Sequence, residues 1–253
     1  MKTILITGAT SGIGQALAEL LCESSAPYRL ILCGRRQDRL QSFAAQHGKN
    51  TEICSLSFDI RDHASVEQAI GSLQSPFAEI DVLVNNAGNA HGLSPIHEGD
   101  IDDWEAMLDI NVKGLLYISK MVSRGMVARG RGQIINIGSI AGKESYPDGN
   151  VYCASKAAVD ALTRGMRMDL YQHNIRVAAV HPGLVDTEFS MVRFKGDKER
   201  SAKVYEGMQP LTARDVAETI RFMIEQPPHV NVADVLLLPT AQASATRVHR
   251  VDA

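Results

Sequence analysis

Thr7-Gly8-Ala9-Thr10-Ser11-Gly12-Ile13-Gly14 is the stretch that decides the fold. It follows the apolar run Ile4–Thr7, which reads as a buried strand, and leads into the helix-period segment Ile13–Ser24. Gly8 suits a tight turn, Gly12 a close backbone approach, and Gly14 a helix packed closely on its strand. A helix starting there leaves unpaired N–H groups and the positive end of its dipole facing outward, which is a seat for phosphate. The spacing is G-x-x-x-G-x-G, not G-x-G-x-x-G. Taken alone, the cluster also fits a plain strand-to-helix turn.

The same alternation repeats outward from this loop. Further strands are predicted at Arg29–Cys33, Glu52–Leu56, Val82–Asn85, Gln133–Ile137, Arg176–His181 and Val235–Leu238. Helices are predicted at about Gln37–His47, His63–Leu73, Ile101–Arg129, Asn150–Tyr171 and Thr212–Glu225. The strands are continuous β-branched and leucine runs, as expected where helices cover both faces of a sheet. The expectation is an α/β fold: a doubly wound, seven-stranded parallel sheet with helices on both faces and the ligand at the C-terminal strand ends. No linker or repeat interrupts residues 1–253, so they read as one domain. The least regular stretch, about 183–210, is expected to form a substrate-binding lobe.

Composition excludes other classes. Of 253 residues, 45% are hydrophobic and 22% charged, which rules out a disordered chain, a collagen or a disulfide scaffold. Lys+Arg of 26 against Asp+Glu of 29 gives a net charge of −3, with no global attraction for nucleic acid or an anionic membrane. Cys22, Cys33, Cys54 and Cys153 have no metal-ligand spacing, so reduced thiols and no metal are expected. Met1–Thr7 is too short for a secretory apolar core, and no run approaches the ~20 apolar residues of a membrane span. A soluble, cytoplasmic protein is expected.

Two further signals carry chemistry. After the second strand stands Cys33-Gly34-Arg35-Arg36, with no acid before Asp38. An acid there would accept from a ribose 2′-hydroxyl, whereas arginines suit a 2′-phosphate; a solvated pair at a helix start is the other reading. Tyr152-Cys153-Ala154-Ser155-Lys156 puts Tyr152 and Lys156 on one helix face, where an ammonium favours tyrosinate and proton exchange with an alcohol. Ser139, just past a strand, is placed to hold a substrate oxygen. Asn111 and Asn85-Asn86-Ala87-Gly88 add polar groups that capping and turn formation would also explain.

Together these residues resemble the short-chain dehydrogenase/reductase family, in its Rossmann-fold form of about 250 residues, over essentially the whole chain. The resemblance implies that Gly8, Thr10, Ser11, Gly12, Ile13 and Gly14 hold the cofactor phosphates. It implies Asp59 for the adenine, Asn86, Ala87 and Gly88 for the central strand and nicotinamide side, and Pro182, Gly183 and Thr187 for the segment covering the nicotinamide. The family's catalytic tetrad falls on Asn111, Ser139, Tyr152 and Lys156, with Lys156 on the ribose and Asn111 anchoring a water relay. Glu188–Asp197, Gly149–Tyr152 and Val248-His249-Arg250 are similar to the branch acting on 3-hydroxy acids with NADP. That implies an NADP-dependent enzyme transferring hydride between the cofactor and a small 3-hydroxy acid or its semialdehyde. The alternatives are a 3-oxoacyl thioester or general ketone reductase and, from another class, a dinucleotide sensor without turnover. Arg193, or Lys195, is the candidate for the substrate carboxylate; a salt bridge from Arg193 to Glu188 or Asp197 is the competing expectation. The family implies a homotetramer pairing helices near Ala106–Val127 and Asn150–Tyr171, with Val235–Leu238 and the tail to Ala253 at another interface.

Overall fold

The structure, a computed structural model, describes residues 1–251; the last two residues of the tail expected at an interface lie outside them. The first half runs β1 (Lys2–Thr7), α1 (Gly12–Cys22), β2 (Tyr28–Gly34), α2 (Gln37–His47), β3 (Glu52–Ser57), α3 (His63–Gly71) and β4 (Val82–Asn85). Next come α4 (Ile101–Leu108), α5 (Leu115–Arg129), β5 (Gly132–Ile137), α6 (Asn150–Leu170) and β6 (Ile175–Pro182). The chain continues through β7 (Val185–Asp186), α7 (Phe189–Arg193), α8 (Lys198–Lys203), β8 (Leu211–Thr212), α9 (Ala213–Glu225) and β9 (Asp234–Leu237).

Seven strands form one parallel sheet in the order β3-β2-β1-β4-β5-β6-β9. The chain moves outward from β1 to β3, then returns to place β4 on the other side of β1. That reversal opens a crevice at the C-terminal ends of β1 and β4, where Ile6 lies opposite Val84. The Gly8 loop and Asn86–Gly88 both leave the sheet there.

Strand alternation explains the continuous apolar runs. Ile4, Ile6, Leu30, Leu32, Val82 and Val84 pack with Leu17, Leu21, Ile220 and Met223 on one face. Leu5, Ile31, Leu83, Ile134 and Val177 pack with Ile118, Val122 and Met126 on the other. Both faces of the central strands are dry, so most of their positions must be apolar; truncating Leu5 to alanine would cost about 2–5 kcal/mol.

The helical stretch predicted over 101–129 is present and includes a π turn, Asp109–Gly114, between α4 and α5. One expectation needs correction. The segment 183–210 is not irregular: it contains α7 and α8, and its ends are joined by the parallel pair β7–β8, with Val185 opposite Leu211. Helices of five and six residues are too short to show a period in the sequence. Smaller differences are one or two residues at element ends, such as α1 ending at Cys22 instead of Ser24. All four cysteines are free thiols, and no described helix is long and apolar enough to cross a membrane.

Candidate active site

A cavity of about 660 Å³ follows the crevice from Arg35 and Asp59, past Gly8 and Ser11–Ile13, to Ser139, Tyr152 and Arg193. Its floor is set by close contacts. Gly12 has φ +54, a left-handed conformation, and faces Thr187 of the lobe. A Cβ on Gly14 would lie 2.5 Å from the Gly8 carbonyl, so only glycine lets α1 start this close to β1. Asn86 donates from its amide to the Thr7 and Gly8 carbonyls at 3.0 and 3.1 Å, and the Ala87 N–H donates to Thr7 Oγ1 at 2.9 Å. Asn86 therefore shapes the glycine loop from below. This cradle, with the start of α1 opening onto it, fits the pyrophosphate of a dinucleotide.

Three arginines gather at one end. Arg36 donates to Thr10 Oγ1 at 2.9 Å, Ser11 Oγ at 2.7 Å and Glu188 Oε2 at 2.9 Å. Arg39 donates to the same carboxylate at 2.8 Å and to the Thr10 carbonyl at 3.2 Å. These arginines hold the Glu188 carboxylate below its ordinary pKa. Arg35 is exposed, and its guanidinium makes no hydrogen bond among the described residues. Asp59 pairs with Arg61, whose hydrogen bonds lower the Asp59 pKa. Arg39 was missed in the sequence, although its i+3 spacing from Arg36 was visible.

At the other end stand the proton-handling groups. Tyr152 is buried in the first turn of α6, its ring tilted against Phe189 at 5.7 Å between centroids. Ser139 caps the short turn Ile140–Gly142, accepting from the Ala141 N–H at 3.1 Å and leaving its own O–H free to donate. Lys156 is buried and donates to the Ile137 carbonyl at 2.9 Å. Burial lowers its pKa to about 8. The expected lowering of the Tyr152 pKa by Lys156 is not what the structure shows. Burial pushes Tyr152 up, Tyr146 adds to the rise, and Ser139 and Arg193 oppose it. The ammonium is turned toward Ile137, so desolvation decides the direction.

Asn111 lies in the π turn, and its amide is fully engaged. It donates to the Asn89 carbonyl at 2.9 Å and Ser155 Oγ at 3.0 Å, and accepts from the Asn89 N–H at 2.9 Å. π turns recur at functional sites because they re-aim one residue of a helix. Pro182, Gly183 and Thr187 line the cavity, and Gln242 Oε1 accepts from the Leu184 N–H at 2.8 Å to hold that segment.

Arg193 reaches from α7 into the cavity. Its Nη2 donates to Tyr146 Oη at 2.9 Å, and its guanidinium carbon is 5.4 Å from the Tyr152 ring centroid. It makes no salt bridge to Glu188 or Asp197: Glu188 is held by Arg36 and Arg39, and Asp197 caps α8. Lys195 is engaged by Asp103 at 3.0 Å and Asp100 at 3.6 Å, which leaves Arg193 as the cation beside Tyr152. Tyr146, its hydrogen-bond partner, had no signal in the sequence.

A family model described as short chain dehydrogenase matches residues 2–198. The NADP-dependent 3-hydroxy acid dehydrogenase YdfG of Salmonella typhi is 44% identical over 249 residues, covering 98% of this chain and 99% of the relative. A probable NADP-dependent dehydrogenase of Haemophilus influenzae is 46% identical over 244 residues, covering 96% and 95%. The closed form of serine dehydrogenase complexed with NADP+ superimposes with a TM-score of 0.91 at 42% identity, covering 98% of this chain and 100% of that one.

Proposed function

This chain belongs to the short-chain dehydrogenase family, and on that premise we propose that it is an NADP-dependent oxidoreductase interconverting a small 3-hydroxy acid and its semialdehyde or 3-oxo counterpart. The observation that carries the substrate class is Arg193: a guanidinium with no carboxylate partner among the described residues, 5.4 Å from the Tyr152 ring. An acid's carboxylate supplies the missing counter-charge, and guanidinium binds carboxylate bidentately. The names of the relatives above support the same class.

NADP, when bound, supplies the hydride acceptor or donor. The loop Gly8–Gly14 would hold its pyrophosphate, Arg35, Arg36 and Arg39 its 2′-phosphate, and Asp59 its adenine. Asn86–Gly88, Pro182, Gly183 and Thr187 would surround the nicotinamide, with Lys156 on the ribose. Ser139 donates its free O–H to the substrate oxygen and orients it. Tyr152 takes the hydroxyl proton in oxidation and returns it in reduction. Its raised pKa in the free enzyme suits the protonated, donating form, so oxidation relies on Ser139 and Arg193 to stabilise the anion. Asn111 fixes the backbone at Asn89, one residue past Gly88, which faces Lys156 Nζ, and would anchor a water relay there.

Initial rates with NADP+ and NAD+ across L-serine, 3-hydroxypropionate, a 3-hydroxyacyl thioester and an uncharged secondary alcohol test this reading. Turnover of the acids with NADP+ is expected to lead. A thioester or neutral alcohol leading would favour a ketone reductase, and tight cofactor binding without any turnover would favour a sensor.

The proposal includes a cytoplasmic homotetramer. Support for assembly comes from exposed Leu108 and Leu116 on α4 and α5, Met168 on α6 and Leu236 on β9, apolar side chains on the elements expected at interfaces. Four free thiols suit a reducing compartment. Light scattering at micromolar concentration showing a monomer would remove the tetramer.

A further inference from the structure

Lys143-Glu144-Ser145 directly follows the turn that Ser139 caps, and the chemistry above leaves it unused. Lys143 Nζ donates to Asp160 Oδ1 at 2.9 Å and to Asp234 Oδ2 at 2.7 Å. Asp160 is on α6, one turn past Lys156, and is only 5% exposed; Asp234 begins β9. The second Asp160 oxygen accepts from Arg164 at 2.8 Å. His181, fully buried just before Pro182, places Nε2 3.3 Å from Asp234 Oδ1 and 3.6 Å from Asp160 Oδ1. Neither ring nitrogen has a hydrogen-bond partner among the described residues.

The charges explain the arrangement. Two carboxylates are balanced by the Lys143 ammonium and the Arg164 guanidinium, so the cluster is neutral with His181 uncharged. Burial and Lys143 lower the His181 pKa, while Asp234 and Asp160 raise it. Lys143 is thus the inner cation of the cluster, and it draws together the Ser139 turn, α6 and the ends of β6 and β9. The packing leaves no slack around that turn. A Cβ on Gly138 would lie 2.3 Å from His181 Nδ1, and one on Gly142 would lie 2.5 Å from the Lys156 carbonyl. Backbone on both sides of Ser139 therefore rests on this cluster or on α6.

We propose that Lys143 is a positioning residue of the reaction: its ammonium draws the Ser139 turn onto Asp160 of α6 and so fixes the Ser139 hydroxyl against Tyr152. The inference rests on the reading of Ser139 and Tyr152 as the oxygen-handling pair. Without Lys143, the buried Asp160 loses its inner partner and the turn loses its ionic tie to α6. A misplacement of about 1 Å at such a contact costs up to about a hundredfold in rate.

The test compares Lys143→Met, Lys143→Arg and Arg164→Met in the NADP-loaded full-length enzyme, reading kcat, KM, the pH profile of kcat and the melting temperature. Lys143→Met is expected to lower kcat about ten- to a hundredfold with KM within about twofold. The pH at which Tyr152 titrates in that profile should rise, because Ser139 no longer lowers its pKa. Lys143→Arg should restore most of kcat. Arg164→Met, which touches the same carboxylate but not the Ser139 turn, should leave kcat unchanged. If Lys143→Met is insoluble, Asp234→Asn loosens the ammonium from its exposed side while leaving Asp160, and should give a smaller fall in kcat at constant KM. Wild-type kcat in the lysine variant, or an equal loss in Arg164→Met, would overturn the proposal and make the cluster purely structural. If Ser139→Ala and Tyr152→Phe both keep full turnover, the site reading itself fails, independently of Lys143.

Discussion

Glu188 accepts from Arg36 at 2.9 Å across the mouth of the cavity, tying the start of α7 to the loop after β2. Four of the five N–H groups of the Arg36 guanidinium are engaged by Thr10, Ser11 or this carboxylate. A 2′-phosphate binding Arg36 through two N–H groups must displace one of them, and the carboxylate is the anion it replaces. Glu188→Gln should therefore tighten NADP+ binding. Exposed pairs are worth about 0–1 kcal/mol each, so the gain is a few-fold. Calorimetric titration with NADP+ and NAD+ checks it; an equal change for both cofactors would mean that Glu188 does not compete with the phosphate.

Replacing Arg35 and Arg36 together by alanine should weaken NADP+ far more than NAD+. Arg39 is expected to retain part of the selectivity, because it already reaches the Thr10 carbonyl. Adding Arg39→Ala should remove the remainder. Parallel losses for the two cofactors would show that none of the three reads the 2′-phosphate.

Tyr152→Phe keeps the ring packed on Phe189 and removes only the hydroxyl. Turnover should fall by the ~10²–10⁴-fold typical of a general base or acid, while cofactor affinity survives. A variant as fast as wild type would assign the proton to another group.

Lys156 gives a signed pH effect on stability in the cofactor-free enzyme. Its folded pKa is about 8, below the 10.5 of the free side chain. Between those values the unfolded chain holds the extra proton, so stability rises with pH across this window. Burying the ammonium is most costly below pH 8 and is relieved above it. Relative to Lys156→Met, wild type should gain roughly 2 kcal/mol between pH 7 and 9.5 in urea unfolding. A flat difference would mean that the lysine is not desolvated as the fold suggests.

Arg193→Met should raise KM for L-serine and 3-hydroxypropionate about ten- to a hundredfold, the worth of one charge-assisted contact of ~1.5–3 kcal/mol. An uncharged secondary alcohol should be spared. Unchanged KM for the acids would return the carboxylate to backbone donors, since Lys195 is held by Asp103.

The sheet was legible because its signal is local: residues such as Ile4, Leu5 and Ile6 must all be apolar when both faces are covered. The glycine loop was legible because three backbone constraints fall within eight residues. What stayed hidden depends on residues far apart in the chain. Glu188 meets Arg36 across 152 positions, and Arg193 meets Tyr146 across 47. The direction of the Tyr152 pKa was misread because i+4 spacing places Lys156 on the same face but does not say where its ammonium turns. The lobe was taken as irregular because α7 and α8 are too short to display a period.

The π turn at Asp109–Gly114 couples the reaction to the length of the chain. A π turn carries one residue more than the α-helix it interrupts, and each helical residue turns its successor by about 100°. Deleting any single residue between 109 and 114 would restore a continuous α-helix, leaving both halves on their present faces but removing the widened turn that aims Asn111. Met107 would keep its packing beside Tyr152, and Ile118, Val122 and Met126 theirs against the sheet. The loss would fall on Asn111, whose bonds to Asn89 and Ser155 depend on that turn. Such a deletion is expected to spare the fold and strike the site, acting like the loss of the Asn111 side chain.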